Sequence, residues 1–228
     1  MSRQYVDRGL TVPHIARWSA ERNVSPPVVA QRGEDGYRRL GYGAAETLYD
    51  RDQYGVLWVC WSLGQGKGRA QFPDAHPLRQ RAAVLHERCQ VCRQPAQQRD
   101  GRYLYLFVAA AGPVYEGLIS GVPPVCTTCT PLAVRDCPHL ARGYVAVWVA
   151  DAPLWGVEGI RYHPRTLRPR DNAEFARVEY GSAEARWTLA HRQLVSLHGI
   201  TPVTDIDAVA PAGPPAPAPR PPEGRRAS

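Results

Sequence analysis

Along this chain the apolar residues gather into short runs separated by Gly, Pro and Arg, a pattern that predicts a series of strands interspersed with helices. Residues 28–31 read as a strand. The unbroken apolar run 56–61 reads as a strand covered on both faces. Residues 12–21 fit either a short helix or an edge strand. A helix is expected over 77–88, with Pro77 at its first position, an apolar stripe of Leu78, Ala82 and Leu85, and Arg79, Arg81 and Arg88 off that stripe. Residues 102–110 and 114–119 are expected to form a hairpin about Gly112-Pro113, residues 143–150 and 157–162 a second strand pair, and 175–180 a further strand. Trp187, Ala190, Leu194 and Leu197 recur at helical spacing between Ser182, a good N-cap, and Gly199, a good stop. They predict a helix from Ser182 to about His198. The expected class is α+β with a mixed sheet.

The cysteines sharpen that picture. Cys89-Gln-Val-Cys92 and Cys126-Thr-Thr-Cys129 are two Cys-x-x-Cys pairs separated by 33 residues. Each pair can hold one tetrahedral metal from a tight turn, which points to a structural zinc ion, one per chain. The second pair opens a segment, 127–136, with room for about two helical turns, and a helix N-terminus favours thiolates. Knuckle, hairpin and helix together describe a treble-clef-like module. Cys137 and His139 compete for the same ion. If 127–136 is one helix, Cys137 lies about 12 Å beyond Cys129 at ~1.5 Å per residue, so the favoured ligands are Cys89, Cys92, Cys126 and Cys129. Cys137 and His139 enter the set only if the helix breaks early, at Pro131. Cys60, within an apolar run, reads as a core residue.

Composition adds a charge and an organisation. The net charge is +7, and Lys67 is the only lysine, so the positive charge is carried by arginine. Arginine suits phosphate and carboxylate forks, and GC-rich coding alone also enriches it. Arg161, Arg165, Arg168 and Arg170 fall in one stretch without an acid, a candidate contact loop for an acidic protein face or a phosphate backbone. The alternative is a solvated loop. Asp50 and Asp52 fit a turn in which Asp bonds its own backbone better than a catalytic pair. Gly64-Gln-Gly66-Lys67-Gly68 lacks the spacing and the Ser or Thr of a phosphate loop. No apolar leader of signal type and no run of about 18 apolar residues appears, so a cytoplasmic location without a membrane is expected. The chain divides into a β-rich segment (1–76), a zinc module (77–140), strands and an amphipathic helix on the same core (141–207), and a Pro/Ala-rich tail (208–228) expected to be disordered.

Tyr49-Asp-Arg-Asp52, Gly55-Val-Leu-Trp58, His76-Pro-Leu-Arg-Gln-Arg81, the two Cys-x-x-Cys pairs and Cys137-Pro-His-Leu140 together resemble small zinc-binding proteins of actinobacteria and their phages. The likeness covers roughly residues 45–150 and extends to the recombination directionality factors that partner large serine integrases. It implies a non-enzymatic accessory protein, working in the bacterial host. Such a protein binds an integrase on DNA, with its own DNA contacts indirect or non-specific, and turns recombination from integration towards excision. Two other readings stand beside it. An HNH-type metal-dependent nuclease would need a histidine between the cysteine pairs, and residues 93–125 contain none. A direct DNA-binding regulator would need a legible recognition motif, and no helix-turn-helix or Cys2His2 pattern is present.

Overall fold

The computed structural model describes residues 4–209; most of the tail expected over 208–228 lies outside the described residues. The N-terminal segment carries β1 (Tyr5–Asp7), β2 (Leu10–Val12), β3 (Ala16–Trp18), β4 (Val29–Arg32), β5 (Arg38–Gly41), β6 (Leu57–Trp58) and β7 (Ala70–Ala75). Helix α1 (Pro77–Leu85) leads to the first cysteine pair, and β8 (Tyr103–Val108) and β9 (Leu118–Ser120) precede the second. Helix α2 (Thr130–Asp136) is followed by β10 (Tyr144–Val149), β11 (Leu154–Arg161), β12 (Phe175–Glu179), β13 (Thr188–Leu197) and β14 (Thr201–Pro202). The class is α+β, as expected, and the structure is mostly sheet with few helices.

Two sheets organise the molecule. One has the order β12-β11-β13-β6, with β9 also paired to β13, and the other has the order β14-β10-β8. Every pairing in them is antiparallel except β13 with β6. The N-terminal strands pair among themselves, β1 with β2, β3 with β7 and β4 with β5. The largest core cluster joins Cys89, Val91, Tyr103 to Phe107, Val125 and Cys129 to Val147, Val149, Val195 and Leu197. The cysteine module and the C-terminal strands therefore share one core.

The hairpin over 102–119 does not form: β8 pairs with β10, and β9 pairs with β13 in the other sheet. The cause is burial. Tyr103 to Phe107 are all buried, so β8 needs covered faces and a full partner strand, and its other edge is closed where Val125 N–H donates to the Leu104 carbonyl at 2.8 Å. The knuckle and the helix of a treble clef are present, and the hairpin between them is not. For the same reason β10 and β11 do not pair with each other.

The expected helix from Ser182 to His198 is instead a five-residue 3-10 turn, Ala183–Trp187, followed by the ten-residue strand β13. This strand has partners along both edges, β11 on one and β6 and β9 in turn on the other. Its burial does not alternate, and two register shifts against β11 break the two-residue period. Helical spacing of the apolar residues is what remains visible in the sequence.

On α1 the buried face is also not the expected one. Leu78 is 54% exposed, while Arg79, Gln80, Ala83 and Val84 point inward. Gln80 belongs inside because its amide pairs with the backbone of a central strand. Its Nε2 donates to the carbonyls of Gly121 (2.7 Å) and Gln193 (3.0 Å), and its Oε1 accepts from Gln193 N–H (2.9 Å). The ambiguous stretch 12–21 contains a strand, β3, and 56–61 contributes only Leu57–Trp58 to a ladder.

Packing against β11 is close enough to test. A methyl group added at Gly156 would overlap the Val178 carbonyl oxygen of β12, with backbone that cannot swing aside. Gly156→Ala is expected to cost about 2–3 kcal/mol by overpacking, read as a shift in the denaturation midpoint. An unchanged midpoint would mean that β12 moves freely.

Candidate metal centre

The first knuckle begins where α1 ends. Glu87 adopts a left-handed conformation (φ 50°) and Arg88 N–H reaches back to the Ala83 carbonyl at 2.8 Å, which turns the chain out of the helix. Cys89 N–H then donates to Gln94 O (2.8 Å), Arg93 N–H to Cys89 O (2.9 Å), and Val91 N–H to the Cys89 sulfur (3.4 Å). The loop is thus closed on itself around the sulfur. The second pair opens a 3-10 turn, Thr127–Cys129, that runs directly into α2. Cys126 O accepts from Cys129 N–H, Thr130 N–H and the Thr130 hydroxyl, which fixes the turn. Gln90 N–H donates to Pro124 O at 2.9 Å and locks one knuckle against the other.

The consequence is a cluster. The four sulfurs of Cys89, Cys92, Cys126 and Cys129 all lie within 4.8 Å of one another, and Cys92 Sγ and Cys126 Sγ are 3.7 Å apart. A tetrahedral ion with metal–sulfur bonds of about 2.3 Å spaces its ligands about 3.8 Å apart, so the donor set and its spacing fit one soft, four-coordinate metal. All six cysteines are free thiols. Without a cation, sulfurs this close cannot all ionise. Hydrogen bonding with Cys126 holds Cys92 far below the usual thiol range, and that with Cys129 lowers Cys126 to about 7. Cys89 and Cys129 are pushed up, each chiefly by Cys126. A bound cation would remove the conflict by favouring thiolate at all four positions.

No protein-family model, curated protein or solved structure matches this chain. Its chemistry therefore rests on its own geometry.

Cys137 and His139 stand outside the cluster. The helix does not break at Pro131, which sits in the first turn of α2, where proline is tolerated. Of the four arginines in the contact loop, Arg161 is taken: its Nε donates to Asp171 at 3.0 Å, just past the acid-free stretch. Arg165, Arg168 and Arg170 are exposed. Asp50 and Asp52 serve their turns as expected. Asp50 accepts from Thr47 N–H and hydroxyl, and Asp52 accepts from Tyr54 and Val56 N–H and from Trp58 Nε1 and the Tyr180 hydroxyl. Cys60 is only half-buried; desolvation and its hydrogen bond to Asp50 push its thiol up to about 11.

Two constellations carried no sequence signal. Glu21, His76 and Arg79 are buried together, with Arg79 Nη1 donating to Glu21 Oε1 at 2.6 Å. Ser196 Oγ lies 2.9 Å from His198 Nε2, and His198 Nδ1 lies 3.2 Å from Glu116 Oε1, the order of a nucleophile, base and acid. The backbone N–H groups around that serine are already committed, however. Ser196 N–H donates to Pro153 O, His198 N–H to Asp151 O, and Gly199 and Ile200 N–H to Glu116 itself. That leaves these donors unable to hold an oxyanion, and the trio acts as a clasp between residues 116 and 200.

Proposed function

We propose that the chain is a zinc-stapled, non-enzymatic adaptor that binds a protein partner through its arginine hairpin. The observation that carries this reading is the closed four-cysteine cluster set in the largest core. Four thiolates would fill the coordination of a tetrahedral ion and leave no open position for substrate or water, which is the structural and not the catalytic type of zinc site. Such an ion rigidifies a scaffold.

The hairpin suits presentation. Tyr162 bridges to Pro169, and Tyr162 and Leu167 pack on the cluster of Leu40, Tyr42, Leu57, Val59 and Leu189. Arg165, Arg168 and Arg170 are thereby carried on a pre-ordered turn, so a partner is met with little ordering cost. The resemblance noted above supplies the partner to test first, a serine integrase bound to DNA. An adaptor of this kind acts by binding one integrase arrangement more tightly than another, and its effect is bounded by that difference in affinity. Among the described residues no helix is long and apolar enough to cross a membrane.

The test is co-purification with candidate integrases at low and moderate salt. A variant reversing all three charges (Arg165→Glu, Arg168→Glu, Arg170→Glu) is expected to lower partner affinity at least tenfold while its melting curve stays put, because surface charges away from special features change stability little. No binding and no stimulation of excision would remove the integrase reading. Recovery of nucleic acid alone, lost steeply as salt rises, would replace it with direct DNA binding.

A further inference from the structure

Between the N-terminal strands, helix α2 and strand β9 runs a cleft of about 550 Å³. Sites for small organic ligands occupy roughly 300–1,000 Å³, so the cleft is of that size. Its walls are largely apolar. Ile15, Phe72, Val114, Leu118, Val122 and Leu132 line it, and each is left half-exposed. Single exposed apolar residues are ordinary on a protein surface, whereas a contiguous concave set marks a binding site. Cys137 and His139, which the metal cluster leaves out, line the same cleft.

One wall carries charge. Glu158 on β11 stands in register between Arg177 on β12 and Arg192 on β13, and all three residues line the cleft. Arg192 donates to Glu158 at 3.2 Å, so that pair is neutral. Asp74, also in the lining, is held by Arg17 at 2.6 Å. Arg177 is exposed and forms no ion pair among the described residues. An apolar cleft therefore carries in its lining one guanidinium without an ion pair among the described residues, the group best shaped for a carboxylate fork.

We propose that the cleft binds one medium- or long-chain carboxylate, its hydrocarbon chain along the apolar walls and its head group on Arg177. The apolar walls alone would accept any greasy molecule of this size. Arg177 selects the anion.

The test uses the full-length, metal-loaded protein and the fluorescent fatty acid cis-parinaric acid. One saturable site per chain is expected, with decanoate displacing the probe about tenfold more effectively than decanol. Arg177→Glu should weaken binding about tenfold, the usual size of a lost charge-assisted contact, at unchanged metal content and melting temperature. Leu132→Trp, which fills the cleft from α2, should weaken decanoate and decanol alike. The proposal is overturned if no saturable signal appears, if several probe molecules bind per chain, if decanol competes as well as decanoate, or if both variants bind like the native protein.

Discussion

Cys89→Ser is expected to strip the protein of its metal and to abolish cooperative unfolding of the largest core. Cys89 is fully buried, its sulfur accepts Val91 N–H, and it packs in the cluster that holds Val84, Tyr103 and Leu104. Serine offers a hard, poorly ionised oxygen in place of a soft thiolate, and three remaining sulfurs bind zinc far less tightly. The binding free energy of structural zinc is about 10 kcal/mol or more in small peptides, comparable to the whole stability of an ordinary domain at about 5–15 kcal/mol. Little would be left to hold the knuckles against β8. Metal content per chain and a calorimetric melting curve check this. Cys137→Ser and Cys60→Ser are the controls, since neither residue belongs to the cluster, and both should keep one metal and a near-native transition. Full metal content in Cys89→Ser would mean that the ligand set is wrong.

What the sequence revealed and what it hid follow from the range of the interactions concerned. The two cysteine pairs were legible because each is a local device: a turn of a few residues aims two sulfurs at one point wherever the turn is placed. Helix α1 was legible from Pro77 and from its composition, but its inward face was not. Arg79 is buried because Glu21 lies 58 positions away in sequence, and Gln80 because the backbone of Gln193 lies 113 away. No periodicity within the helix records those partners. Strand pairing failed in the same way. The apolar runs of β8, β9, β10 and β11 are each visible in the sequence, yet neighbours in sequence are not neighbours in the sheet. With Tyr103 to Phe107 of β8 all buried and β13 bordered along both edges, strand partners are set by burial across the whole chain. The clasp of Ser196, His198 and Glu116 and the cleft lined by Cys137 are products of that same long-range assembly.

The second large effect belongs to the buried charges. Glu21 takes Trp18 N–H on Oε2 (2.8 Å), both terminal nitrogens of Arg79 (2.6 and 2.8 Å) and Gly64 N–H on Oε1 (3.3 Å), while Arg79 also donates to Ala16 O (2.8 Å). One carboxylate thus ties β3, the 64–68 turn and α1 together. Glu21→Ala leaves a guanidinium 8% exposed with no counter-charge and should cost about 3–5 kcal/mol, with Arg79→Ala similar. The double variant Glu21→Leu, Arg79→Met should recover most of that loss, because a buried pair is worth little more than a well-packed apolar one; a double variant as unstable as the sum of the singles would refute this. Acid should act on the same cluster in two steps. Burial lowers the pKa of His76, whose Nδ1 has no partner, so below about pH 6.5 the unfolded chain takes a proton that the folded one refuses, and stability falls as pH drops. Burial acts likewise on His14, lowered to about 4, and on His191, and both add to that slope. Desolvation alone would raise the pKa of Glu21, but the Arg79 and Trp18 hydrogen bonds outweigh it and the net shift is downward. Its contribution is complete above the ordinary carboxylate range and is lost as pH falls through it. Melting temperatures between pH 8 and 3 should therefore begin to decline near pH 6.5 and steepen below about pH 4.5, and His76→Gln should flatten the first part only. A native protein equally stable at pH 7 and pH 5 would overturn the lowering of His14, His76 and His191 together.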